Sequence, residues 1–208
     1  MSRYVGAVCK ICRREGMKLF LKGERCFTDK CAMEQRDYPP GQHGQGRIRT
    51  SEYRIQLREK QKVRYSYGVS EKQLRRYYQL AKRRKGVTGD YMLSLLERRL
   101  DNIVYRLGFA ASRAQARQLI THGHIIVNGH KTDIPSVLVN VGDHVEIKEK
   151  SRKLDIINQA LENREQRGTL DWLEVDREAM KGHVKALPER KDMSMSIQET
   201  LIVEYYSK

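Results

Sequence analysis

All of the excess positive charge of this 208-residue chain lies in its first 89 residues. Residues 1–89 carry 23 Lys and Arg against 8 Asp and Glu, whereas residues 90–208 carry 18 of each sign. A segment so unbalanced repels itself as it compacts, so it must spread its cations over outer faces and meet a polyanion there. The balanced remainder is under no such constraint and can close around an ordinary core. Phosphate backbone is the first candidate partner.

The 39% hydrophobic content supplies apolar material for one medium domain or two small ones. The opening MSRYVGAVCK has no apolar run of the secretory kind. No stretch approaches the roughly 20 apolar residues of a membrane span, so a cytoplasmic protein without a membrane partner is expected.

All four cysteines fall before residue 32. In a reducing compartment, the pair Cys9 and Cys12 followed by Cys26 and Cys31 reads as a closed four-thiolate site for one structural Zn2+ ion. Arg13 and Arg14 beside it would present positive charge outwards. An iron–sulfur cluster and ordinary buried thiols are the alternatives. Weak apolar content over residues 1–50 favours metal, because ligation would supply folding energy that a core does not.

The run Tyr38-Pro39-Pro40-Gly41-Gln42-His43-Gly44-Gln45-Gly46-Arg47 rules out a helix and predicts an extended loop. Two basic amphipathic helices follow, one from Ser51 to Arg64 with a narrow stripe of Tyr53, Leu57 and Gln61, and one from Ser70 to Arg84. Apolar spacing then predicts one helix from about Tyr91 to Leu107, and Ser112-Arg113-Ala114-Gln115 opens another by a capping box. Ile125 to Val127, the Asn128-Gly129 turn and Val145 to Lys148 predict a small sheet. A helix from Leu154 to Arg164, a strand from Trp172 to Asp176 and a closing strand from Leu201 to Tyr206 complete the reading. The expected fold is α+β: a mostly helical basic N-terminal domain with a zinc knuckle, plus a module of two helices packed on a curved, mainly antiparallel sheet. Its expected parts are 1–50, 51–92 joined with C-terminal segments, 93–160, and 161–208 packing back on the body.

Within that module Arg98, Arg99, Arg113 and Arg117 are candidate RNA contacts. The capped helix start before Arg113 and Arg117 forms a phosphate seat, and Asn128 and Lys131 on the hairpin can enter a groove and use the 2′-hydroxyl. A solvated face is the bland alternative. His122, His124 and His130 lie close in sequence but have no cysteine or paired carboxylate at ligand spacing, which favours RNA-facing or solvated imidazoles. Arg47 and Arg49 follow the glycine-rich loop and can grip RNA or serve as plain surface charge.

The basic Cys9/Cys12/Cys26/Cys31 opening, Pro39-Pro40-Gly41-Gln42-His43-Gly44, Leu57-Arg58-Glu59-Lys60-Gln61-Lys62, Arg99-Leu100-Asp101-Asn102-Ile103-Val104-Tyr105-Arg106-Leu107-Gly108, Ser112 to Ile120, Ile126-Val127-Asn128-Gly129, and Leu201 to Lys208 closely resemble bacterial small-subunit ribosomal protein four, over essentially the full length. Arg58 and Lys62 enter the RNA-contact set through these motifs. The resemblance implies direct binding to the five-prime domain of small-subunit ribosomal RNA and a part in nucleating assembly. It also implies contact with small-subunit proteins five and three, an effect on translational accuracy, and a place at the messenger entry channel for Arg47 and Arg49. Gln45-Gly46 departs from relatives that carry a further basic residue there, which implies a weaker channel grip. An RNA-modifying enzyme built on the same module would need a catalytic domain, and neither flank offers one. A regulatory RNA-binding protein is the other alternative, and a DNA-binding zinc protein lacks a recognition helix at finger spacing.

Overall fold

The computed structural model describes residues 4–46, 50–163, 170–193 and 195–208. Its regular elements in chain order are α1 (Cys9–Glu15), α2 (Ala32–Gln35), α3 (Glu52–Ser66), α4 (Glu71–Lys82), α5 (Thr88–Glu97), α6 (Leu100–Arg106), α7 (Arg113–Thr121), β1 (Ile125–Val127), β2 (His130–Lys131), β3 (His144–Ile147), α8 (Asp155–Glu162), β4 (Leu173–Asp176), β5 (Lys181–Val184) and α9 (Glu199–Ser207). The chain divides into two compact units, Met1–Met92 with Met195–Lys208, and Leu93–Ser194.

In the first unit, helix starts follow the serine signals: Ser51 and Ser70 accept hydrogen bonds from the backbone N–H of Arg54 and Gln73. That satisfies a donor each helix start would otherwise leave open. The buried side of α3 is not the expected stripe, since Tyr53 is exposed and Gln56, Glu59, Lys60 and Val63 are covered. Polar groups are tolerated there because α4 and α9 supply partners for them. Gln56 Nε2 donates to Glu204 at 2.9 Å and its Oε1 accepts from Lys208 Nζ at 2.9 Å. Lys60 Nζ lies 2.9 Å from Glu71, whose same oxygen accepts from the Tyr206 hydroxyl at 2.8 Å. Burial, then the neighbouring Glu71, pushes the Tyr206 hydroxyl far up, so it stays a donor.

These bonds also explain why the expected strand at Leu201 to Tyr206 is a helix. The β-branched and aromatic run favours a strand locally, but a helix buries Ile202 fully and stacks Tyr206 on Tyr78 with ring centroids 4.9 Å apart.

The expected zinc knuckle is not formed. Among the described residues no group of three or more His, Cys, Asp or Glu side chains is disposed to hold a metal ion. Cys9, Cys12, Cys26 and Cys31 are free thiols, the last three buried. Cys12 packs with Ile11 and Leu19, against partly buried Val8, Met17, Leu21 and Met33, and the Cys26 sulfur accepts from the Lys22 N–H at 3.3 Å. Burial pushes the Cys12 and Cys26 thiols up. The N-terminal segment thus has a small apolar cluster of its own, which its composition did not advertise.

In the second unit, five antiparallel strands form one open sheet in the order β2-β1-β3-β5-β4, rather than the curved sheet expected. Val145 and Ile147 of β3 and Val184 of β5 turn inward, where Leu100, Ile103, Val104, Leu107, Ala116, Ile120, Ile157 and Trp172 meet them. Each fully buried Val, Leu or Ile among them contributes about 1.5–3 kcal/mol. Gly182 lies so close beneath Leu107 that a Cβ there would overlap it.

The single helix expected over 91–107 is two. After Glu97 the chain opens at Arg99 (φ −64, ψ 138), and Val139 N donates to the Arg98 carbonyl at 2.9 Å while Leu100 N donates to the Val137 carbonyl at 2.9 Å. Pairing with residues 137–139 replaces helical bonds, yet α6 resumes in a phase that keeps the apolar spacing intact.

Candidate nucleic-acid interface

Helix α4 turns Leu74, Tyr77, Tyr78 and Ala81 inward. The opposite side carries Lys72, Arg75, Arg76 and Lys82, continued by Arg83, all exposed. Among the described residues none of these five has an ion pair. Their spacings of three, four and seven residues lay them along one strip of about 16 Å at 1.5 Å per residue. Such a strip can follow consecutive phosphates. None of the five was singled out from the sequence, although their spacing against the apolar positions of the same helix was the available signal.

Of the residues that were singled out in this unit, Arg13, Arg58 and Lys62 have other engagements. Arg13 Nε donates to the Tyr38 carbonyl at 3.0 Å and its guanidinium lies 5.0 Å from that ring, so it ties down the start of the proline-rich loop. Arg14 is exposed in the last turn of α1. Arg58 pairs with Glu15 at 3.1 Å, and Lys62 with Glu59 at 2.6 Å. Burial raises the Glu15 carboxyl, and Arg58 is the main group opposing that rise. Arg47 and Arg49 lie outside the described residues.

In the second unit the arginines enter two carboxylate networks. Arg99, wholly enclosed, holds Asp101 through two bonds of 3.0 and 2.6 Å, and Arg117, 9% exposed, approaches the same carboxylate at 3.8 Å. Nearby, Glu97 receives Arg106 at 3.1 and 2.8 Å and the Asn102 amide at 2.6 Å. Arg113 Nε donates to Asn102 Oδ1 at 2.7 Å, with its guanidinium 4.6 Å from the Tyr105 ring centre. Arg98 Nε donates to the Val139 carbonyl at 3.1 Å and its guanidinium also bonds Asn140.

The start of α7 is capped by Ser112, which accepts from Gln115 N at 3.3 Å. Gln115 reaches back one residue further than a capping box does, accepting from Ala111 N at 2.6 Å. The hairpin turn has positive φ at Asn128 (50°) and Gly129 (80°), as the sequence demands. Asn128 bridges to the neighbouring strand: its amide donates to Asp143 at 2.8 Å and its oxygen accepts from His144 N at 2.8 Å. Lys131 is exposed, its side chain lying over Gly123, where a Cβ would obstruct it. His124 meets the Ser151 hydroxyl at 2.9 Å, and burial, then His122 and Lys148, lowers its pKa. Among the described residues no helix is long and apolar enough to cross a membrane.

A solvent-facing basic strip and a capped, arginine-bearing helix are features of proteins that grip phosphate backbone. The family model described as the ribosomal protein S4/S9 N-terminal domain matches residues 3–97, and that described as the S4 domain matches residues 98–145. The class is therefore that of ribosomal proteins carrying an S4 domain. Small ribosomal subunit protein uS4 of Pelobacter propionicus is 62% identical over 208 residues, covering the whole of both chains, as are the proteins of that name from Geotalea daltonii and Geobacter sulfurreducens. The chain belongs to the small ribosomal subunit protein uS4 family.

Proposed function

We propose that this protein is a structural, ribosomal-RNA-binding constituent of the small ribosomal subunit, working in the cytoplasm and without catalysis of its own. Full-length likeness to the uS4 relatives supports this reading. Among structural features, the basic strip of α4 carries it, because five exposed cations without ion-pair partners among the described residues are stabilised by a polyanion and by little else.

The finer reading assigns the RNA partner to the five-prime domain of the small-subunit ribosomal RNA, with a part in nucleating assembly and in translational accuracy. Small-subunit proteins five and three are the protein neighbours, and Arg47 and Arg49 reach messenger RNA at the entry channel. In the first unit Arg14 is a further phosphate contact beside those of α4, and in the second unit Arg113 and Lys131 are phosphate contacts. Arg98, Arg99, Arg117 and Asn128 act chiefly by holding the second unit in shape, since each is engaged by protein groups.

Gradient sedimentation of cell extract after a high-salt wash tests the assignment. Co-migration with the small subunit is the expected result. Release of the protein to the top of the gradient would favour a dissociable regulatory RNA-binding factor instead.

A further inference from the structure

We propose that Glu97 and Asn102 are positioning residues that orient the Arg113 guanidinium for an RNA phosphate, an inference that rests on the reading of Arg113 as an RNA contact. Neither residue reaches the surface, with Glu97 and Asn102 each 1% exposed. Their chemistry is directional. The Asn102 amide nitrogen donates both to the Glu97 backbone carbonyl at 2.9 Å and to its carboxylate at 2.6 Å. Turning the amide over would set Oδ1 against two acceptors, so Glu97 fixes which end of Asn102 faces outward.

The outward end is Oδ1, and it accepts from Arg113 Nε at 2.7 Å. The Tyr105 ring, 4.6 Å from the same guanidinium, gives it a second point of support. Arg106 holds the Glu97 carboxylate in place by its two bonds. The relay from Arg106 through Glu97 and Asn102 to Arg113 joins the end of α5, α6 and the first turn of α7. An arginine held at one edge and supported by a ring keeps its planar fork in one orientation before RNA arrives, so less side-chain freedom is lost on binding.

A double-mutant cycle on the full chain tests this, using filter binding to a transcribed five-prime-domain fragment of small-subunit ribosomal RNA at several salt concentrations. Arg113→Ala is expected to weaken binding roughly tenfold and to lower the salt slope by about one unit. Asn102→Ala is expected to weaken binding several-fold in the native background and to add no further loss once Arg113 is alanine. If Arg113→Ala binds as well as the native chain, the reading of Arg113 as an RNA contact fails, and the inference with it. If Arg113 matters but Asn102→Ala costs the same in both backgrounds, Asn102 serves the fold alone and only the inference is overturned.

Should Asn102→Ala not fold, Arg113→Lys decides. It keeps the charge but loses the planar fork, and is expected to remain nearly as weak as Arg113→Ala. Full rescue by lysine would show that a point charge suffices, and would overturn the positioning role.

Discussion

The α4 strip and the α5–α7 region use the same side chain in opposite ways. On α4, Arg75, Arg76 and Arg83 stand exposed without ion pairs among the described residues. In the second unit, Arg99, Arg106 and Arg117 are covered and bound to Asp101 or Glu97. Charge count alone separates the two halves of the chain, but only the pairing shows what the charges do. The uncompensated ones are available to a polyanion; the compensated ones specify the packing of helices.

The largest expected effect tests the second half of that contrast. Asp101→Ala leaves Arg99 enclosed without its carboxylate and is expected to destabilise the second unit by about 3–5 kcal/mol, read by chemical denaturation of the full chain. A loss below about 1 kcal/mol would mean that the buried pair is not structural. The first half is tested by Arg75→Gln with Arg76→Gln and Arg83→Gln. RNA affinity should fall by orders of magnitude at physiological salt, with the salt slope reduced by up to about three units, while stability changes by no more than about 0.5 kcal/mol per site. A large stability loss with unchanged RNA binding would reverse the comparison.

A smaller effect is expected from pH. His124 has a lowered pKa in the folded protein, so the fold favours its neutral form. That contribution is complete above the unfolded value near 6.5 and is lost as pH falls through the folded value. Melting midpoints should therefore decline on acidification below about pH 6.5, and His124→Gln should flatten that part of the curve. The smallest effect belongs to the ion pair of Lys185 with Glu174, whose side chains are 50% and 58% exposed: Lys185→Ala should cost at most about 1 kcal/mol, and less in high salt.

Much of the local structure was legible in the sequence because it rests on local chemistry. Serines 51, 70 and 112 cap the helices they precede, and Asn128-Gly129 makes the turn that only residues tolerant of positive φ can make. The failures share a different cause: distant partners. Leu201 to Tyr206 is helical because Gln56, Glu71 and Tyr78 reward that geometry, and the break at Arg99 exists because residues 137–139 pair with it. The cysteines were read by spacing, but thiols also pack as small apolar groups, and spacing does not distinguish the two. In the candidate site, the positive character was visible and its division into exposed and engaged arginines was not. Asp101 and Glu97 are ordinary acidic letters in the sequence until folding places them beside Arg99 and Arg106.

The central claim is that the exposed cations of α4 and the partly buried Arg113 of α7 hold small-subunit ribosomal RNA. Crosslinking of the protein to RNA in cell extract, with sequencing of the RNA and mapping of the crosslinked peptides, tests it most directly. Enrichment of the five-prime domain of the small-subunit ribosomal RNA, attached to peptides containing Arg75, Arg76 and Arg113, is the predicted result. Enrichment in transfer RNA or scattered messengers, or attachment that bypasses both helices, would contradict it.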